Sequence, residues 1–168
     1  MTMIFVDVIE TEWGLIRLGW REGAVVTLEM PTGDDIARAS LPLNRRPLSE
    51  SGVEEMISLP SRLQQYFSGV PVDFSNVPVE EHGGPFHRRV REVLRTVVYG
   101  ASVSYAELAA MAGSPRAARA AGQAMACNRI PIVIPCHRVL GAGGRTGGFS
   151  SGANVKAELL RLEGIAYR

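Results

Sequence analysis

Metal-ligand pairs, a disulfide framework and long apolar runs are all missing from this sequence, and each absence closes off a class of function. The two cysteines, Cys127 and Cys136, stand nine positions apart and fit reduced thiols in a reducing compartment. Together with three histidines they never fall into paired ligand spacings, so no metal is expected. No apolar run approaches the roughly 18 residues of a membrane-spanning helix. Met1-Thr2-Met3 begins no basic segment followed by a long apolar core, so no secretory signal is expected and the expected location is the cytoplasm. The glycine-rich stretch from Gly141 to Gly152 has no Walker-type lysine and so does not read as a phosphate cradle. With 46% hydrophobic and 21% charged residues the chain is neither disordered nor membrane-embedded, and 168 residues suffice for one domain or two small ones.

What the sequence does have is a charge asymmetry beneath a net charge of +1. Residues 1–84 carry six arginines against thirteen acidic residues, net −7, while residues 85–168 carry eleven arginines and one lysine against four glutamates, net +8. An arginine-rich half beside an acidic one is the footprint of a polyanion-binding module, most often for nucleic acid, attached to a part that does not touch it. Charge alone leaves open the alternative of arginine-rich helix faces that are merely solvated.

Residues 3–30 alternate short apolar runs with the turns Glu12-Trp13-Gly14 and Arg21-Glu22-Gly23, which predicts a three-stranded antiparallel meander. Residues 31–52, with three prolines, read as a surface loop. From Val53 to Phe67 the pattern turns helical, with Pro60 in a first turn or at a kink. The stretch from Val77 to Pro85 is the natural boundary, so a structural domain is expected over residues 1–80 and a second domain over residues 85–168. In the second, Phe86, Val90, Val93, Leu94 and Val97 share one helical face, with Arg88, Arg89, Arg91 and Arg95 off it. Ser104-Tyr105-Ala106-Glu107 is a capping box. The short helix it starts stops at Gly113, and Ser114-Pro115 restarts a second one to Ala126, predicting a helix-turn-helix over about residues 104–126. A last helix, roughly Ala153 to Glu163, buries Val155, Leu159, Leu160 and Leu162 and ends at Gly164.

Two stretches carry the chemistry. The helix from Pro115 is almost bare of side-chain bulk, from Ala117 and Ala118 through Gly122 to Ala126, with Arg116 and Arg119 standing out from it. Small residues suit either close entry into a nucleic-acid groove or tight packing between helices. The second stretch, Ile134-Pro135-Cys136-His137-Arg138-Val139, sets a thiol beside an imidazole and a guanidinium. A thiol attacks only as thiolate, and a base or positive charge nearby is what produces one at neutral pH. A cysteine among apolar residues is also a common core hydrophobe, so these six residues alone leave both readings open.

Taken together, Ile134 to Val139, Asn128 eight positions before the cysteine, Tyr105 opening the helix-turn-helix, Arg119 on its second helix and Leu159-Leu160-Arg161-Leu162-Glu163-Gly164 resemble the O6-alkylguanine-DNA alkyltransferase family. The resemblance covers essentially all of residues 85–168, and residues 1–84 only in layout. It implies an α+β protein: an amino-terminal ribonuclease-H-like antiparallel sheet with a helix, then a mostly helical, winged helix-turn-helix-like domain. It implies direct, irreversible, single-turnover transfer of an alkyl group from O6 of guanine, and O4 of thymine, in duplex DNA to Cys136, without a cofactor. The expected partner is duplex DNA bound by a monomer that can assemble cooperatively on it, with no membrane. By the same resemblance Arg119, with Arg116, Ala118 and Tyr105, meets DNA from the minor groove, and Arg119 fills the place of a flipped-out base. His137 takes the Cys136 proton through a water held by Glu163; Tyr105 gives a proton to the leaving guanine; the Ser150 amide bonds O6. Asn128 pins the turn carrying the cysteine, and Val139, Met125, Phe149 and Ser151 border the pocket.

The chain departs from the family pattern at Arg91, where most relatives have tryptophan, at Val98 in place of proline, and at Phe149 and Ser151 in the loop beside the pocket. The first two touch packing and the last two the size of alkyl group admitted. Three other readings compete. A lesion-binding protein that flips the base without repairing it would lack the motif cysteine. A helix-turn-helix regulator leaves Pro-Cys-His-Arg without purpose, and a thiol hydrolase or peroxidase leaves Arg119 and the helix pair unexplained.

Overall fold

The computed structural model describes residues 3–31, 44–149 and 151–168, so residues 32–43 of the expected surface loop and Ser150 lie outside the described residues. The chain divides into two compact units, Met1–Val72 with Asn76–Glu80, and Asp73–Ser75 with Glu81–Arg168.

In the first unit, β1 (Phe5–Thr11), β2 (Gly14–Arg21) and β3 (Ala24–Glu29) form an antiparallel sheet in that order, as the alternation predicts. Val6, Ile9, Ile16, Leu18, Trp20, Val25 and Leu28 are buried. Glu22 and Gly23 both have positive φ, 52° and 73°, the pairing that a tight two-residue hairpin demands. At Gly23 space is short as well, since a Cβ there would stand 2.6 Å from Val53 Cγ2. The single helix expected over residues 53–67 is two: α1 (Glu54–Ile57) and α2 (Leu59–Phe67). Pro60 has no N–H to give, and it therefore sits in the first turn of α2, where none is needed. α2 buries Leu59, Leu63, Tyr66 and Phe67, and is tied to β1 by Gln64 Nε2 donating to the Glu10 carbonyl at 3.0 Å. Each such side chain contributes about 1.5–3 kcal/mol on burial. Arg21 closes the unit with a two-pronged bond to Glu80 at 2.5 and 2.6 Å.

The second unit begins with α3 (Pro85–Leu94), followed by β4 (Val103–Ser104), α4 (Tyr105–Met111), α5 (Ala118–Ala126), β5 (Val139–Leu140) and α6 (Ala153–Leu162). β4 pairs with β5 in parallel and so brings the segment before α4 alongside the segment after Cys136. The capping box is formed in both directions: Ser104 Oγ accepts from the Glu107 amide at 3.1 Å, and Glu107 accepts from the Ser104 amide at 2.6 Å. α4 and α5 make the helix-turn-helix.

Three expectations need correction. α5 starts at Ala118, because Ser114 to Ala117 close a turn of their own, with the Ala117 amide bonded to the Ser114 carbonyl at 2.9 Å. Pro115, with its fixed φ, suits the second position of that turn, and Arg116 stands in the turn and not on the helix. α3 stops at Leu94, before Val97, where amides bond three residues back and Arg95 donates to the Phe74 and Ser75 carbonyls at 2.9 Å each. Arg91, expected off the apolar face, is fully buried. Helical spacing placed it off the apolar face; the side chain is nevertheless covered, and it donates to the His82 carbonyl.

Because the Ser104 cap serves an exposed helix end, Ser104→Ala is expected to cost about 1 kcal/mol of stability. Urea unfolding followed by circular dichroism checks it, and Ser104→Asp should restore most of the loss.

Candidate active site and nucleic-acid interface

The segment leading to Cys136 is built from two consecutive three-residue turns. Across Ile132, at φ 72°, the Val133 amide bonds the Pro131 carbonyl at 2.9 Å; across Pro135, at φ −79° and ψ 62°, the Cys136 amide bonds the Ile134 carbonyl at 2.8 Å. The first is strained, since a β-branched residue rarely has positive φ, at a cost of order 1–3 kcal/mol. Asn128 holds it: Oδ1 accepts from the Ile130 amide at 3.1 Å, and Nδ2 donates to the Ile134 carbonyl and to Cys136 Sγ, both at 3.0 Å. Every residue from Ile130 to Leu140 is buried, which prevents the turns from relaxing.

Cys136, His137 and Arg138 form one turn of 3-10 helix, so their side chains fan outward in three directions. His137 Nε2 meets Glu163 Oε1 directly at 2.6 Å. Arg138 bonds the same carboxylate through Nε at 2.9 Å and Nη2 at 3.0 Å, and its Nη1 donates to the Val97 carbonyl at 2.5 Å. The Gly100 amide adds a further bond to Glu163 Oε2 at 3.1 Å. Burial opposes charge on Glu163, yet the bonds from His137 and Arg138 outweigh it and hold the carboxyl at about 2. Burial lowers the His137 pKa below the ordinary imidazole value, with Glu163 working against that shift. At neutral pH the pair is therefore carboxylate and neutral imidazole. With Nε2–H donating to the carboxylate, Nδ1 is the basic nitrogen of the ring.

Burial pushes the Cys136 thiol up to about 11, while the Asn128 bond and the field of Lys156 pull it down. The resting group is a thiol that needs a base. Lys156, fully buried on α6, donates to the Val139 carbonyl at 2.6 Å. Sequence reasoning missed it: the apolar stripe of α6 was legible, but a lysine facing inward beside that stripe carries no local signal.

A cavity of about 390 Å³ opens on Cys136, bordered by Tyr105 from α4, Gly122, Met125 and Ala126 from α5, and Gly148 and Phe149 from the loop before α6. Tyr105 lies between α5 and that loop: a Cβ on Gly122 would touch its ring at 3.8 Å, and one on Gly147 its hydroxyl at 3.5 Å. Burial and the nearby Cys136 raise the phenol's pKa, so it keeps its proton at neutral pH. Of the expected pocket residues, Met125 and Phe149 border the cavity. Val139 does not; it is fully buried in β5, with its side chain committed to the core. Ser151, in the turn ahead of α6, is not among the described bordering residues either, and Ser150 lies outside the described residues. Gly122, Ala126 and Gly148 are added to the wall, and their lack of bulk is what leaves the space. Arg119 and Arg116 are exposed on and before α5, and Ala118 is half-buried at its start. Among the described residues no three His, Cys, Asp or Glu side chains gather as metal ligands.

A helix-turn-helix with two exposed arginines, beside a cavity that ends on a buried thiol, is the arrangement expected of a DNA-binding protein that presents a cysteine. The comparisons make this specific. Residues 85–165 match the model of the 6-O-methylguanine DNA methyltransferase DNA-binding domain. The methylated-DNA–protein-cysteine methyltransferase of Mycolicibacterium paratuberculosis is 35% identical over 161 residues, 96% of this chain and 93% of that protein. The constitutive methylated-DNA–protein-cysteine methyltransferase of Bacillus subtilis is 44% identical over 108 residues, 64% of this chain and 65% of that protein, just under two thirds of its length. The crystal structure of Mycobacterium tuberculosis O6-methylguanine methyltransferase superposes with a TM-score of 0.77 at 32% identity, covering 96% of this chain and 93% of that one. The same organism's protein in complex with DNA superposes at 0.75 with 31% identity, covering 95% and 92%. The chain belongs to this family of DNA-repair methyltransferases, the methylated-DNA–protein-cysteine methyltransferases.

Glu163→Gln should strand the buried Arg138, and a loss of about 3 kcal/mol or more is expected. The pH dependence has a fixed sign. Both His137 and Glu163 have folded pKa values below their unfolded ones, so stability is full above about pH 6.5 and falls with acid, first through His137 and then between about 4.3 and 2 through Glu163. Glu163→Gln should flatten the lower part of that curve in denaturant titrations from pH 8 to 3.

Proposed function

We propose that this chain repairs duplex DNA by accepting the alkyl group of O6-alkylguanine, and of O4-alkylthymine, onto Cys136, once per molecule. The observation that carries the proposal is the cavity that joins the α5 surface to Cys136 with Tyr105 on its wall. O6 of guanine is out of reach in a stacked duplex, so the nucleotide is turned out into the cavity at a cost of a few kcal/mol. Residues 85–168 do this work, and residues 1–80 are structural. α5 lies in the minor groove, where its small residues permit close approach, and Arg119 fills the vacated place, with Arg116 and Ala118 against the backbone. The protein acts as a monomer, in the cytoplasm, that can assemble along DNA.

In the transfer itself the Cys136 proton passes, through a water, to the basic nitrogen of His137, whose imidazolium is neutralised by Glu163. The sulfur then forms a bond to the alkyl carbon as the bond from that carbon to O6 breaks, and the electron pair leaves with guanine. Tyr105 donates its phenolic proton to the departing base, and the Ser150 amide bonds O6. Asn128 steers the thiol, and the borders formed by Met125 and Phe149 set which alkyl groups enter. The thioether has no route back, so one molecule serves one lesion.

Intact mass after incubation with a duplex carrying O6-methylguanine should rise by one methylene, with the mark mapped to Cys136. Cys136→Ser should bind DNA and gain nothing, whereas Cys127→Ser should react; a mark on Cys127 in the parent chain refutes the assignment. Arg119→Ala should slow transfer from duplex DNA by about tenfold or more, since extrusion costs a few kcal/mol, and leave transfer from the free base nearly intact. Equal losses on both substrates refute the role of Arg119. The transfer rate should fall as pH drops through the His137 pKa, which the fold places below about 6.5, and Glu163→Gln should cost roughly 10²–10⁴-fold per folded molecule.

A further inference from the structure

Arg91, on α3, is a charged residue in an unusual setting. Its guanidinium is buried, with the side chain 1% exposed, yet among the described residues Nε and Nη1 make no hydrogen bond. A cation with two unmatched donors is a poor core filler. Its remaining nitrogen is fully engaged: Nη2 donates to the His82 carbonyl and stands 3.6 Å from the Glu81 carboxylate. The backbone turns sharply after His82, at Gly83 with φ 79°, where a Cβ would lie 3.8 Å from Arg91 Nη2. Arg91 therefore grips the segment Glu81 to Gly83 at its bend.

The other side of His82 reaches α5. Its ring Nε2 bonds the Cys127 carbonyl at 3.0 Å. Cys127 is the C-cap of α5, and the last carbonyls of a helix have no partner within it. The Cys127 carbonyl and the Asn128 amide belong to one peptide plane, and that plane is held from both sides, by His82 on the oxygen and by the Met125 carbonyl on the amide at 3.1 Å. One bond further on is the Asn128 side chain that holds Cys136 Sγ at 3.0 Å.

We propose that Arg91 and His82 are positioning residues for the transfer: a clasp that fixes the Cys127–Asn128 peptide plane and so aims the Asn128 amide at the Cys136 sulfur. The proposal rests on the reading of Cys136 as alkyl acceptor. Neither Arg91 nor His82 borders the cavity. The clasp acts on the reacting step at saturating DNA and leaves affinity for DNA alone.

The test is single-turnover transfer from duplex O6-methylguanine at saturating DNA, expressed per folded molecule, beside the dissociation constant for unmodified duplex. His82→Ala and Arg91→Met should each slow the transfer roughly three- to tenfold, the scale of one hydrogen bond, with the dissociation constant unchanged within twofold. The double variant should be no slower than the worse single, because both act on one peptide plane. His82→Gln, whose side-chain amide can still donate to the Cys127 carbonyl, should recover most of the rate. The proposal is overturned by a parental rate in His82→Ala, by His82→Gln as slow as His82→Ala, by multiplicative losses in the double variant, or by losses that appear only in DNA affinity. A parent chain that transfers no methyl group overturns the proposed function instead.

Discussion

A carboxylate kept ionised inside the second unit is the constraint on which the rest of the site depends. Glu163 caps α6, and four donors converge on it: the His137 ring, two nitrogens of Arg138 and the Gly100 amide. A buried charge is tolerable only when its lone pairs are filled by opposite charge and good donors, and that condition is met here. The same bonds do two further things. They gather the turn after α3, the cysteine turn and the end of α6 at one point, and they choose the tautomer of His137. Structure and chemistry are thus not separable at Glu163, since the charge that binds three segments together is also the charge that would neutralise an imidazolium.

The thiol is held by a different principle. Among the described residues no cation is bonded to Cys136 Sγ, while the neutral Asn128 amide is, in a segment where strain at Ile132 is sustained by complete burial. Burial keeps the group protonated and so unreactive toward adventitious electrophiles. The field of Lys156 and the Asn128 bond then lower the cost of ionisation without abolishing it. Under the proposed single-use role such a resting state is an advantage, because a permanently ionised thiolate would be spent on whatever small electrophile entered the cavity.

Much of this was legible from neighbouring residues alone. The alternation of residues 3–30, the capping box at Ser104 and Glu107, the Cys136 motif and the contrast between −7 and +8 in the two halves are local or compositional properties, and all point the same way as the structure. Where local reasoning failed, a competing local preference won. Pro115 has a fixed φ equally suited to a helix start and to a turn, and the turn from Ser114 to Ala117 took it. Val139 is the exception, since it sits beside the motif but is fully buried in β5, and the pairing of β5 with the distant β4 decided that.

What the sequence determined by itself was the Cys136 motif and the helices around it, since periodicity, caps and turn residues act over a few positions. What only the tertiary structure decided was the environment of that group. Glu163 meets His137 and Arg138 across 26 and 25 positions, and Arg138 meets the Val97 carbonyl across 41. Lys156 and Arg91 are charged residues turned inward. Their burial follows from which distant carbonyls lie within reach, and that depends on how the chain packs, which no periodicity along it expresses.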